Sequence, residues 1–332
     1  MPLLTFPKTS QQWHDMVKNQ NLESQSIFNT EVTLKSASEI GFHQFLLLRV
    51  LIIPSQHVTV FSRTTSHPEW YQTKTLRTSA SVLEADRAWM LYLESIRQPS
   101  SPRSHISSLA YLGVFSQVRH YQLEIQPQST PDAEQPPSTR DVSEAVSEAA
   151  NDEQTVNMAL IVCLNAITMS SCETTGKWTP HQKSFTVRSQ RNKKAYTAMV
   201  DGYLKSSTGR VTAIVEVKPY IRPLTNQTLQ MQEAGEMVAW IAADPPDVQK
   251  MRKEDKPCRR LLVSQNSDQI YITIGECDAN YVDYVCDRPI RKGEDPFLKM
   301  ERYGPFEIGV SRSMSVFGKI MLAFAIDQSI LD

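Results

Sequence analysis

Apolar residues recur at helical spacing over Val156, Ala159, Leu160, Cys163, Leu164 and Ile167, one face of a helix that follows an acidic run from Asp141 to Glu153. Glu153 extends that face at its first turn. Downstream the period changes from 3.6 to two. Ser184–Arg188 predicts a strand. Tyr196–Tyr203 and Val211–Lys218 predict two more, paired as a hairpin across the polar stretch Ser206-Ser-Thr-Gly209. Pro219 and Pro223 stop the second of these. Leu229–Ala242 reads as a helix with Leu229, Met237, Trp240 and Ile241 inward, closed by Pro245-Pro246. Leu261–Ser264 and Ile270–Ile274 predict a hairpin around Asn266-Ser267, Tyr281–Val285 a further strand, and Met314–Ile326 a last amphipathic helix.

The first half of the chain is less legible. Residues 1–40 are polar and weakly patterned. Phe42–Ile53 fits a buried helix or a strand, ended by Pro54, and His57–Phe61 alternates like a strand. Ser79–Ile96 predicts a helix through Val82, Leu83, Trp89, Met90 and Leu93, whereas His105–Gln122 fits helix or strand. Gln126–Ser138 is rich in Pro, Gln, Ser and Thr, the composition of a linker. The expected organisation is an N-terminal extension (1–124), a flexible loop or linker (125–140) and an α/β unit (141–332).

The hairpin of Tyr196–Tyr203 with Val211–Lys218 carries the chemistry. Side chains alternate along a strand, so Glu216 and Lys218 point the same way. Asp201, at the end of the preceding apolar run, would lie beside them. An exposed hairpin with a surface ion pair would show the same residues, but Val211–Val217 is apolar enough for a central strand. A charge at the end of a buried strand needs a partner or a task. Two carboxylates and an ammonium on one surface suit a hard divalent cation and an anionic oxygen substrate.

Composition narrows the classes. With 332 residues and 40% hydrophobic residues there is ample core material. A net charge of -1 is not that of a protein that coats nucleic acid, so nucleic-acid contact needs a local patch. Arg188, Arg191, Lys193, Lys194, Lys205 and Arg210 sit in the turns around the first two strands and are the candidates, with Arg259 and Arg260 beyond them. Trp178, Tyr196 and Tyr203 could stack on bases, though core packing is their default. Five cysteines without a CxxC pair read as reduced thiols, and the seven histidines lack zinc-ligand spacing. The start lacks the pattern of a signal peptide, and Phe45–Ile53, interrupted by Arg49, is too short to span a bilayer. The expectation is an intracellular protein of cytoplasm or nucleus with no membrane partner.

The order helix, three strands, helix, strand, with Asp201 ending the second strand and Glu216-Val217-Lys218 the third, resembles the PD-(D/E)XK nuclease-like superfamily. More narrowly, Ala213–Pro219, Met231–Trp240, Tyr303-Gly-Pro-Phe306 and the closing helix look like a group of filamentous-fungal proteins with this domain. Val200 stands where the superfamily motif has proline. The resemblance implies a restriction-endonuclease-like core, a mixed sheet flanked by helices, behind an N-terminal extension. It implies Mg²⁺ or Mn²⁺ held by Asp201, Glu216 and the Val217 carbonyl, with Glu153 as a further acid on the first helix. Catalysis would fall to Asp201, Glu216 and Lys218, with Glu233 or Gln232 holding the attacking water or steadying Lys218. Glu153 at a helix start and Glu233 and Glu236 on a solvated helix face are the plainer readings of those acids.

The resemblance implies divalent-metal-dependent phosphodiester hydrolysis on DNA or RNA. Fold does not fix function. A second reading, by analogy alone, is a nuclease-like scaffold recruited to fungal secondary metabolism, such as a tRNA-dependent (arginine-containing) cyclodipeptide synthase. A third is a non-catalytic nucleic-acid-binding module.

Overall fold

The run Val211–Lys218 forms β6, an interior strand of a seven-stranded mixed sheet. The computed structural model describes residues 5–56, 73–97, 112–125, 142–221, 227–291 and 295–331. Beside β6 lie β5 (Gly202–Lys205), antiparallel, and β7 (Cys258–Asn266), parallel. The connection from β6 to β7 contains the helix Gln227–Ala243, as a parallel pair requires. The order continues through β8 (Gln269–Cys277) and β9 (Leu298–Glu307) to β1 (Val50–Gln56) at one edge, with β2 (Lys177–Thr179) at the other. Pairing is antiparallel except for β6 with β7 and β1 with β9. A separate two-stranded sheet holds β3 (Lys183–Arg188) and β4 (Lys194–Val200).

The α/β class expected from the sequence is present: a mixed, mostly antiparallel sheet flanked by helices. On one face lie the long helix Val142–Met169, the helices Thr73–Ala85, Arg87–Arg97 and Phe115–Ile125, and the closing helix Ser311–Leu331. Against the other lies the helix Gln227–Ala243, with the β3–β4 sheet and the N-terminal elements Ser10–Asn19 and Phe42–Leu47 outside it. Gln227–Ala243 is therefore enclosed, and every residue from Met231 to Ile241 is buried.

Several sequence expectations change. Phe42–Ile53 is both alternatives in turn, a helix to Leu47 and then β1, which runs through Pro54 to Gln56 at a sheet edge where its missing N–H is tolerated. Ser79–Ile96 is two helices, divided where Asp86 accepts from the Ala88 and Trp89 N–H groups. Of His105–Gln122, the part from Phe115 is helical, in a helix that runs on to Ile125, and 105–111 lie outside the described residues. Tyr196–Tyr203 is split between β4 and β5, because the chain changes sheets at Asp201. Tyr281–Val285 is a helix, Ala279–Val285, capped by Asp278, which accepts from the Tyr281 N–H at 2.7 Å. The strand expected at His57–Phe61 and the linker at 126–138 lie outside the described residues. Before residue 125 the described residues supply β1 and three helices that pack on Val142–Met169 and Ser311–Leu331 at one sheet face. Among the described residues no helix is long and apolar enough to cross a membrane.

Candidate active site

The crossing from β4 to β5 places Asp201. Its N–H donates to the Val215 carbonyl at 3.0 Å, and the Asn157 amide of Val142–Met169 donates to its carbonyl at 3.0 Å. β5 is too short to continue the ladder toward the end of β6, and the Asp201 Oδ2 fills that gap by accepting the Val217 N–H at 3.0 Å. The N–H and C=O of one strand residue point to the same neighbouring strand, so the Val217 carbonyl faces the Asp201 edge too.

Glu216 and Lys218 lie on the sheet face toward Gln227–Ala243. Ile214, on that face, joins the core of Met237 and Val238, while Val215 and Val217 pack on the other side. Glu216 is only 2% exposed. Its Oε1 accepts from the Gln232 amide at 2.6 Å and from the Lys218 ammonium at 2.8 Å. Gln232 also donates to Glu236 Oε1 at 2.9 Å, one helical turn on. Lys218 bridges to Glu153 Oε1 at 3.0 Å. Thus Asp201, Glu216 and Lys218 converge at the end of β6.

Acids outnumber cations here. Burial pushes Glu216 well above the ordinary carboxylate range, and the neighbouring Asp201 adds to this. Burial, then the charge of Glu216, does the same to Glu236. For Lys218, burial opposes the charged form, but Glu216 and then Glu153 outweigh it, and the ammonium binds its proton more tightly than usual. A proton on Glu216 and a full Glu216–Lys218 ion pair exclude one another. The consistent state keeps Lys218 charged and leaves protonation to the buried acids Glu216 and Glu236.

The expected auxiliary residues are placed as follows. Glu153 contacts Lys218 and stands well inside its helix, which begins at Val142, so it is not a first-turn acid. Glu233 is fully buried and pairs with Arg302 of β9. Gln232, not Glu233, holds Glu216. Neither Glu233 nor Glu236 lies on a solvated helix face. Trp178 is buried with its Nε1 on Thr168 Oγ1, and Tyr196 is buried with its hydroxyl on the Gly235 carbonyl, so both are core residues.

The six cations are exposed but do not flank the carboxylates. Arg188, Arg191, Lys193 and Lys194 cluster at the β3–β4 turn, at the far end of β4 from Asp201. A strand of this length separates them by about 20 Å. Lys205 and Arg210 flank the β5–β6 turn, the opposite end of β6 from Lys218. Their proximity in sequence reflects hairpin connectivity, with the strands running away from the site.

A buried polar layer extends from the site across the sheet. Ser264 is the ladder partner of Glu216, and Thr273 that of Arg302. Ser264 Oγ, Thr273 Oγ1 and Glu236 Oε2 are buried without a hydrogen-bond partner among the described residues. Nothing in the sequence reading singled out Asn157, Ser264, Thr273 or Arg302. For the strand residues the available signal was a single polar residue within an apolar run, as Ser264 after Leu261-Leu-Val263.

Among the described residues no three His, Cys, Asp or Glu side chains group closely enough to hold a metal by themselves. Two carboxylates and a main-chain carbonyl remain, all oxygen donors, which fits Mg²⁺ or Mn²⁺ because such ions keep several waters. The chain matches no protein-family model and no curated protein.

Proposed function

We propose that this chain hydrolyses phosphodiester bonds in nucleic acid with a divalent metal, at a site like that of PD-(D/E)XK nucleases. The observation that carries the reading is the meeting of Asp201, buried Glu216 and Lys218 at the end of a central strand. Asp201, Glu216 and the Val217 carbonyl would hold Mg²⁺ or Mn²⁺. Such an ion, when bound, supplies Lewis acidity and an acidified water. The excess of acids over cations favours a divalent ion at this end of β6. Gln232 fixes the Glu216 carboxyl by donating to Oε1. Lys218, oriented by Glu153, presents an ammonium to the charge that develops on phosphate oxygen.

The test incubates the full chain with plasmid DNA, with RNA and with aminoacylated tRNA, in Mg²⁺, Mn²⁺ or EDTA. The proposal expects cleavage of DNA or RNA only with metal. Intact nucleic acid with a small product released from aminoacylated tRNA would replace hydrolysis by acyl transfer. Binding without any product would leave a recognition module.

A further inference from the structure

Cys258 opens β7 and Cys277 closes β8, and the two are directly opposite in the antiparallel ladder. Opposed residues share a sheet face, with Cα atoms about 4.5–5.5 Å apart, within the 4.4–6.8 Å range that a disulfide spans. Both cysteines are nearly buried, at 8% and 3% exposure. A cleft lined by Pro257, Glu276, Cys277 and Asp278 reaches the Cys277 side of the pair, and Cys258 keeps 8% of its surface exposed. Arg260 is two residues along β7, hence on the same face; its guanidinium donates to the Asp244 carbonyl at 2.6 Å and covers the Trp240 ring at 4.4 Å.

We propose that Cys258 and Cys277 are a peroxide-oxidisable dithiol, converted to a disulfide that ties the start of β7 to the end of β8. The two thiols differ as the reaction needs. The hydrogen bond from Cys277 and the charge of Arg260 outweigh burial and bring Cys258 down to about 7. The same hydrogen bond, with burial, holds the proton on Cys277. The Cys258 thiolate attacks one peroxide oxygen, the O–O bond breaks, and Cys258 becomes a sulfenic acid as hydroxide, or alkoxide from an organic peroxide, departs. The Cys277 sulfur then displaces the sulfenic oxygen, which leaves as water with the Cys277 proton accounted for. In sum two thiols lose two electrons and two protons, and one peroxide is reduced to water and water or alcohol. Of the other cysteines, Cys163 is buried and pushed up to about 12, and Cys172 is exposed. The inference is independent of the proposed nuclease reading.

The experiment treats the full chain with equimolar hydrogen peroxide, denatures it in N-ethylmaleimide and maps peptides by mass. The expected result is a Cys258–Cys277 crosslinked peptide, lighter by two hydrogens and reversed by dithiothreitol, while Cys163, Cys172 and Cys286 carry the maleimide. In Cys277→Ser, dimedone should label Cys258. Full alkylation of both Cys258 and Cys277 after the peroxide has been consumed would overturn the proposal. A bond from either to another cysteine would also overturn it. The wild-type map decides the matter even if the variant does not fold.

Discussion

Glu236 shows at the residue scale what a buried acid among acids does. It is fully buried, and Oε2 has no hydrogen-bond partner among the described residues. Its native pKa lies above the unfolded value of about 4.3. Proton binding then favours the native state below the unfolded pKa, and that stabilisation is lost as pH rises through the native pKa. Glu236→Gln removes the ionisation but keeps an acceptor for Gln232. In EDTA at pH 8 the variant should be more stable than wild type by about 1–3 kcal/mol. The advantage should shrink toward zero near pH 4, as read by thermal denaturation across pH. An advantage that does not change with pH would show that Glu236 carries no native-state proton. Gln232 gives a second expectation: Gln232→Leu removes the amide that links Glu216 to Glu236, so cleavage should fall with little change in substrate affinity. A change in affinity alone would place Gln232 outside the catalytic arrangement.

At the scale of elements, the crossing at Gly202 fixes the position of Asp201. A Cβ there would stand 2.7 Å from the Thr179 carbonyl and 3.0 Å from Ile161 Cδ1. Gly202→Ala should therefore push β5 from β2, cost about 1–3 kcal/mol in chemical denaturation and lower activity by displacing Asp201. Unchanged stability would mean that β2 gives way freely. The same crossing explains what sequence could and could not reveal. β6 and the helix Gln227–Ala243 were legible because long apolar runs end in charge, a pattern that exposed positions would not produce. Tyr196–Tyr203 looked like one strand because alternation continues when a chain changes sheets. Tyr281–Val285 looked like a strand because a short apolar run fits either periodicity. The deciding signal was the Asp278 cap. β9 alternates imperfectly and carries Arg302 inward to Glu233, which hides it from an apolar-pattern reading. Asp201, Glu216 and Lys218 were readable from local spacing. The Glu233–Arg302 pair and the distance of the basic turns depend on long-range pairing, which the sequence does not display.

At the scale of the whole molecule, the segment before residue 125 helps to build the core. β1 pairs with β9, and Leu83, Trp89, Tyr92 and Phe115 share one apolar cluster with the long and closing helices. Gly318 of the closing helix lets Trp89 approach so closely that a Cβ would lie 2.5 Å from its ring. A chain beginning at residue 141 would expose this cluster and should show no cooperative thermal transition. A sharp transition like that of the full protein would make 141–332 an independent unit. On the opposite sheet face the helix Gln227–Ala243 covers Glu216, whose carboxyl is set by Gln232 and Lys218. The most direct test is the single-turnover rate of nucleic-acid cleavage in Mg²⁺ by wild type and by folded Glu216→Gln and Lys218→Met. The account predicts metal-dependent cleavage by wild type and a fall of about 10²-fold or more in each variant. Equal rates in wild type and variants, or cleavage that persists in EDTA, would contradict it.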